Sequence, residues 1–268
     1  MSTTSPMRWD PEQYARYHDE RNRPFFDLTG QIRADDPATV VDLGCGPGEL
    51  TATLGQRWPT ARITGIDSSP EMIARAEQHS SPAVRFELGD AGQVSAAGVD
   101  VLVSNALLQW VPDHQPLLTR WAAELPSGGW LAFQVPDNFS SPSHVLMREL
   151  AESPRWAPRL GGVLRHDDAV APVADYLALL AGCGFTVNAW QTTYQHVLAG
   201  ADPVLEWVRG TGLRPVLAAL AGSEDTDLAA EFTAEYSAAL RQAYPQQPFG
   251  TVFAFRRTFV VGHKGPAA

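Results

Sequence analysis

Lysine is almost missing from this chain. It carries 20 basic residues in 268, and 19 of them are arginine; Lys264 stands alone near the C-terminus. Genome base composition accounts for such a skew, but it restricts the chemistry. The Tyr-x-x-x-Lys pair of short-chain nicotinamide oxidoreductases would have to use Lys264, and the residue four before it is Val260. Cysteine is nearly as scarce. Cys45 and Cys183 form neither a disulfide framework nor a zinc-ligand spacing, so no metal is expected. No apolar run is long enough to span a bilayer, and the N-terminal MSTTSPMRWDPEQY lacks the apolar core of a secretion signal. Positive charge is in deficit too. A net charge of −10 argues against binding a nucleic-acid backbone or an anionic membrane, either of which needs a basic face. These absences predict a soluble, cytoplasmic protein, monomeric or homodimeric, with no nucleic-acid or membrane partner.

What the chain does have is material for one large core, 44% of it hydrophobic. Residues 38–135 alternate between two patterns. TVVDL, ARITGID, AVRFELGD, VDVLVSN and GWLAFQV are β-branched or apolar runs that end in small or acidic residues. ELTATLGQRW, PEMIARAEQ and DHQPLLTRWAAEL separate them with helical spacing of apolar positions. Such alternation predicts an α/β fold with a parallel sheet covered on both faces. The alternation lapses at 136–170, where Pro, Gly and charge surround one short helical run, HVLMREL. It resumes with helix VADYLALLA, strand CGFTVNAWQTTYQHVL, a helical block over 202–244 and a closing strand FGTVFAFRRTFVVGH.

The chemistry concentrates at VVDLGCGPGELT, residues 40–51. A strand ending in Gly44, Gly46 and Gly48 lets backbone come within contact distance of a ligand. Asp67, ending the next strand, stands where a carboxylate can accept from both hydroxyls of a ribose. A dinucleotide fingerprint would need a third glycine where Glu49 stands, and Pro47 removes one N–H from the anion nest. A negative side chain at that place suits a nucleoside ligand without phosphate. S-adenosylmethionine is such a ligand.

DLGCGPG, GIDSSPEM, GDA, SNALLQWVPD and LPSGGWLAFQVP, in that order, resemble the successive motifs of class I S-adenosylmethionine-dependent methyltransferases. Outside that core, WDPEQYARYHDERNRPF, VPDN with SHVLMREL, TTYQH and EWVRGTGLRP resemble the trans-aconitate methyltransferases. The resemblance implies a Rossmann-like sheet of seven strands, the last antiparallel, with a helical lid inserted between strands six and seven. It implies one domain over 1–268, with an N-terminal cap at 1–30, a cofactor core at 38–136 and substrate-side lid insertions at 137–170 and 200–248. Gly44 and Gly46 are then expected under the methionine part of the cofactor. Asp67 with Ser68 is expected at the ribose, Met72 on the adenine, Asp90 and Ala91 at the adenine edge, and Asn105 beside the sulfonium.

The expected acceptor is a small polycarboxylate, most directly trans-aconitate; another acid or a hydroxylated natural product is the alternative. Arginine, histidine and aromatic residues supply the candidates for holding it: Arg21, Arg23, Trp110, His144, Arg148, Tyr194, Trp207, Arg214 and Arg256, with His196 and Arg257 beside them. No general base is expected, because a carboxylate of ordinary pKa about 4 is already ionised at neutral pH. A hydroxyl acceptor would need one, and His144 or Tyr194 would be the candidates. A binding protein without catalysis would carry a damaged motif, and none is seen.

Overall fold

The structure is a computed structural model that describes residues 18–164, 169–221 and 227–266. It opens with helix α1 (His18–Thr29), followed by β1 (Thr39–Leu43), α2 (Glu49–Arg57), β2 (Arg62–Asp67), α3 (Pro70–Ala76), β3 (Val84–Leu88) and β4 (Val101–Asn105). Next come α4 (His114–Glu124), β5 (Trp130–Pro136), α5 (Pro142–Ala151), α6 (Ala157–Leu160), α7 (Val173–Gly182) and β6 (Phe185–Leu198). The last elements are α8 (Pro203–Arg209), α9 (Arg214–Ala221), α10 (Leu228–Ala243) and β7 (Thr251–Lys264). Each strand and helix read from the sequence over 38–264 is present.

The seven strands form one sheet in the order β3-β2-β1-β4-β5-β7-β6. Strands β1 to β5 pair in parallel, with Val40 opposite both Ile63 and Val101. Strand β7 runs the other way: Gly128 N–H donates to Lys264 O while Asp137 N–H donates to Arg256 O, so the partner number falls as the other rises. The expected topology is therefore observed, with three helices between β6 and β7 among the described residues. The central strands are buried on both faces, as Val40, Leu43, Ile63, Val101, Leu102, Val103, Leu131, Ala132 and Phe133 are all essentially inaccessible. That is why their sequences read as continuous apolar runs without alternation.

The chain divides into two compact units. The first comprises residues up to Pro136, Val170–Thr192 and the chain from Thr258; the second comprises Asp137–Ala169 and Thr193–Arg257. In the first unit Asp100 Oδ2 accepts from the N–H of Ala38 and Thr39 (2.8 and 2.9 Å), so the start of β4 fixes the start of β1. The single lysine has a structural task. Lys264 Nζ donates to the carbonyls of Ala122, Ala123 and Leu125 at 2.7, 3.1 and 2.6 Å, closing the C-terminal end of α4, where a cation meets the negative pole of the helix.

The second unit is built around α10. Phe232 and Tyr236 are fully buried, Trp156 packs edge-on to Phe232, and Arg155 pairs with Glu231 and Glu235. Two tyrosines grip the first turn of α5: Tyr236 OH donates to Ser143 O (2.7 Å), and Ser143 N–H donates to Tyr244 OH (3.0 Å).

Candidate functional site

At the carboxyl end of β1 the chain turns into α2 through Gly44, Cys45, Gly46, Pro47 and Gly48, the three glycines having φ of 73°, 56° and 84°. These glycines serve different ends. A Cβ on Gly48 would stand 2.7 Å from both Ala76 Cβ and Phe86 Cζ, so this glycine is required by the protein's own packing against α3 and β3. A Cβ on Gly44 would meet Leu107 Cβ at 2.9 Å. A Cβ on Gly46 would meet nothing within 4 Å among the described residues, so of the three it is Gly46 that opens outward there. Gly48→Ala is expected to cost about 2–4 kcal/mol of stability, from the left-handed φ plus the overpacking. Chemical denaturation would read this directly, and Gly46→Ala, with its Cβ in open space, should cost less.

The amides of this turn are all committed internally. The N–H groups of Gly44 and Cys45 donate to Ile66 O (2.7 and 3.1 Å), that of Gly48 to Cys45 O (3.2 Å), and that of Gly46 to Asp67 Oδ2 (2.9 Å); Pro47 has none. A phosphate-binding turn presents its N–H groups outward to the anion. This one turns them in. Glu49, where a third fingerprint glycine would be, begins α2 with its carboxylate 4.0 Å from His79 Nε2.

Asp67 holds this corner together. Its other oxygen accepts from Ser69 N–H (2.9 Å), and Ser69 in turn caps α3 by accepting from Met72 N–H (3.3 Å). Burial pushes the Asp67 carboxyl above its ordinary range, against the lowering effect of the N–H groups of Ser69, Gly46 and Ser68. Behind it lies a second acid. Asp42 in β1 is 2% exposed, accepts a 2.6 Å hydrogen bond from Thr51 Oγ1, and is raised to about 7 by burial, with the neighbouring Asp67 charge adding to the rise. Cys45 is pushed up by burial and by the same two acids, so its thiol stays protonated and unreactive.

The remaining cofactor candidates lie along the same strand ends. Met72 is buried on α3, and Ala91 is buried behind Asp90. Asp90 caps the short turn Ala91–Gln93 by accepting from Gly92 N–H at Oδ1 (2.8 Å), while its second oxygen is available on an exposed side chain. Ser68 is exposed beside Asp67. Asn105 ends β4, directly before Ala106, which has a φ of 58° that is uncommon for a residue bearing a side chain. Trp110 closes the turn Leu108–Trp110 that follows.

The acceptor candidates divide into those the structure brings together and those it does not. Tyr194 and His196 stack at 6.1 Å between centroids; His196 lies 4.7 Å from Trp207, and Trp207 touches Phe253 and Phe255. All belong to the second unit. Arg256 does not join them. It lies on the other face of β7 and binds Asp137, its Nε donating to Asp137 O (2.8 Å) with Asp137 Oδ2 at 3.2 Å. Arg257 joins instead: it is 6% exposed, with its guanidinium 4.7 Å over the Phe255 ring. The alternation of Phe253, Phe255 and Arg257 along a strand was the available signal, since residues two apart share a face.

Arg148 donates to Phe139 O (2.8 Å) and holds the segment before α5. His144 lies against Phe139, with Nδ1 3.2 Å from Ser143 Oγ and 3.4 Å from Asn138 Nδ2. Arg214 begins α9, half-buried. Arg23 sits on the exposed side of α1, 3.5 Å from Asp27. Arg21 falls on α1, but its side chain lies outside the described residues, as does the cap before residue 18. Among the described residues no group of His, Cys, Asp and Glu could hold a metal, and no helix is long and apolar enough to cross a membrane.

A family model described as a methyltransferase domain matches residues 40–129. A trans-aconitate 2-methyltransferase of Streptomyces avermitilis is 53% identical over 264 residues, covering 96% of this chain and 97% of that protein. One of Rhodococcus jostii is 49% identical over 94% of this chain and 98% of its own length. Among solved structures, geranyl diphosphate C-methyltransferase of Streptomyces coelicolor, in complex with S-adenosylhomocysteine, superposes with a TM-score of 0.52 at 14% identity, over 97% of this chain and 86% of that one. At that identity the likeness speaks for the fold alone.

Proposed function

The chain belongs to the trans-aconitate 2-methyltransferase family, and from that premise we propose that it forms a methyl ester on one carboxylate of trans-aconitate, with S-adenosylmethionine as donor. The observation that carries this reading is identity of about one half to trans-aconitate 2-methyltransferases across nearly their full length. The glycine turn supports the donor: its amides are closed to phosphate, its open side is at Gly46, and Asp67 stands beside it.

S-adenosylmethionine, when bound, supplies an electrophilic methyl group on a positively charged sulfur. The chain's part is to hold and orient. Gly44 and Gly46 contribute backbone, and Asp67 with Ser68 accepts from the ribose. Met72, Asp90 and Ala91 enclose the adenine, and Asn105 marks the reacting end. The aromatic face of Tyr194, His196 and Trp207 with Arg257, together with His144 and Arg214, is the acceptor-holding part of the second unit. We assign the lid segments 137–170 and 200–248 to that role, and the cytoplasm as its place of action.

A carboxylate acceptor gives the protein no proton to move. With S-adenosylmethionine held there, a carboxylate oxygen would take the methyl group and leave a neutral thioether, so the negative acceptor and the positive sulfur would lose their charges together. Opposite unit charges ~4 Å apart attract by roughly 1 kcal/mol in water and roughly 4 at an effective dielectric of 20, so excluding water from the reacting pair is the main lever. Neither His144 nor Tyr194 is needed as a base.

The test is methyl transfer to trans-aconitate, measured beside cis-aconitate, citrate and isocitrate. Trans-aconitate should be preferred, and kcat/KM should stay level from about pH 6 to 9, where the acceptor carboxylates keep their charge. A fall on the acid side centred near 6.5 would instead indicate a histidine base and a hydroxyl acceptor.

A further inference from the structure

The turn after β4 is strained, and one side chain holds it. Ala106 has φ 58°, a left-handed conformation that costs a residue with a Cβ roughly 1–3 kcal/mol and persists only where its surroundings enforce it. Both sides of Ala106 are pinned. Its N–H donates to Gln134 O on β5 (2.9 Å), and its carbonyl accepts from Gln109 Nε2 at 2.6 Å. Gln109 is 7% exposed, in the first turn after the strained residue. The atom on the Ala106 carbonyl must be the amide nitrogen, because an amide oxygen there would oppose another oxygen.

This turn also touches the glycine loop. Leu107, between Ala106 and Gln109, fills the space where a Cβ of Gly44 would be, at 2.9 Å. Asn105, at the end of β4, is fixed between this turn and its register partner Gln134. The strained peptide thus sets both the direction in which Asn105 is presented and the seat of Gly44.

We propose that Gln109 is a positioning residue for the methyl donor, acting through Ala106. Its amide keeps the Ala106 peptide left-handed and so keeps Asn105 and the glycine turn in the binding-competent arrangement. The inference rests on the donor site described under the proposed function. If the competent turn falls to about a tenth of the population without Gln109, the apparent donor affinity falls about tenfold, because a ligand sees only the competent fraction.

The experiment is calorimetric titration of the full chain with S-adenosylhomocysteine. Gln109→Met keeps length and apolar volume while removing the donor, and should raise Kd about tenfold. KM for S-adenosylmethionine should rise with it while KM for trans-aconitate holds. Adding Ala106→Gly, which accepts a positive φ without a Cβ penalty, should recover at least threefold of the loss. A residue that merely supported the core would show no such recovery. Ala106→Val leaves Gln109 intact but makes the left-handed turn costlier, and should weaken binding as well; it decides the matter should Gln109→Met fail to fold.

Wild-type affinity in either single variant overturns the proposal, as does a loss in Gln109→Met that Ala106→Gly does not relieve. Failure of the unmodified chain to bind S-adenosylhomocysteine is a different result: it removes the donor site itself, and Gln109's role with it.

Discussion

Asp42→Asn should make the protein more stable than the wild type at neutral pH, and by a margin that grows with pH. Asp42 is raised to about 7 in the folded chain by burial, whereas an unfolded aspartate titrates near its ordinary value. Between those two values the unfolded chain releases a proton that the folded chain keeps. The stabilisation of the neutral side chain is fully present below about pH 4 and is lost as pH rises through about 7, amounting to about 4 kcal/mol over that window. Asparagine does not titrate and can still accept from Thr51, so the variant should lack this decline. The melting temperatures of the two proteins should lie close together near pH 4, separate by about 10 °C by pH 7 to 8, and stay parallel beyond. Other carboxylates titrate in both proteins and cancel in the difference. A gap that does not change with pH would mean that Asp42 is charged in the folded chain throughout.

Why the sequence keeps so awkward an acid in a buried strand is clearer beside Asp67. The two carboxylates flank one turn, and the charge on Asp67 helps to keep Asp42 neutral. Below about pH 7 the neutral Asp42 adds no second negative charge behind the loop. Asp67 alone then receives the hydrogen bonds of Gly46 and Ser69.

The frame of the molecule could be read from its residues because parallel strands buried on both faces are apolar over most of their length, as Val40, Val41 and Leu43 are in β1 and Val101, Leu102 and Val103 are in β4. The glycine turn was legible for a related reason: few residues other than glycine tolerate its backbone. The division of labour within it was not. That Gly48 serves packing while Gly46 opens to space depends on Phe86 and Ala76, which are distant in sequence. The arginines were the least legible. A guanidinium reaches far enough to choose among many partners, and the choice is tertiary: Arg148 goes to a backbone carbonyl and Arg256 to Asp137. Strand alternation could have favoured Arg257 over Arg256. Gln109 gave no signal, since its role depends on the φ of the alanine three residues before it.

Removing the Asp67 carboxylate should abolish donor binding at working concentrations. In the structure Oδ2 accepts from Gly46 N–H and Oδ1 from Ser69 N–H, and a carboxylate offers about four acceptor sites, so Asp67 can hold the turn and still accept from ribose hydroxyls. Asp67→Ala takes away both functions. Two hydrogen bonds to a charged acceptor contribute about 1.5–3 kcal/mol each, so Kd for S-adenosylhomocysteine should rise by about 10³-fold. Asp67→Asn is the more informative variant. Its volume is unchanged, but one oxygen becomes an NH₂ group that must face the N–H of Gly46 or Ser69, donor against donor. It should lose nearly as much affinity as alanine, about 10²-fold or more, with the acceptor's KM little changed. If Asp67→Asn bound S-adenosylhomocysteine within threefold of the wild type by calorimetry, the carboxylate would be a loop fastener alone, and the ribose would have to find its acceptor elsewhere on the sheet edge.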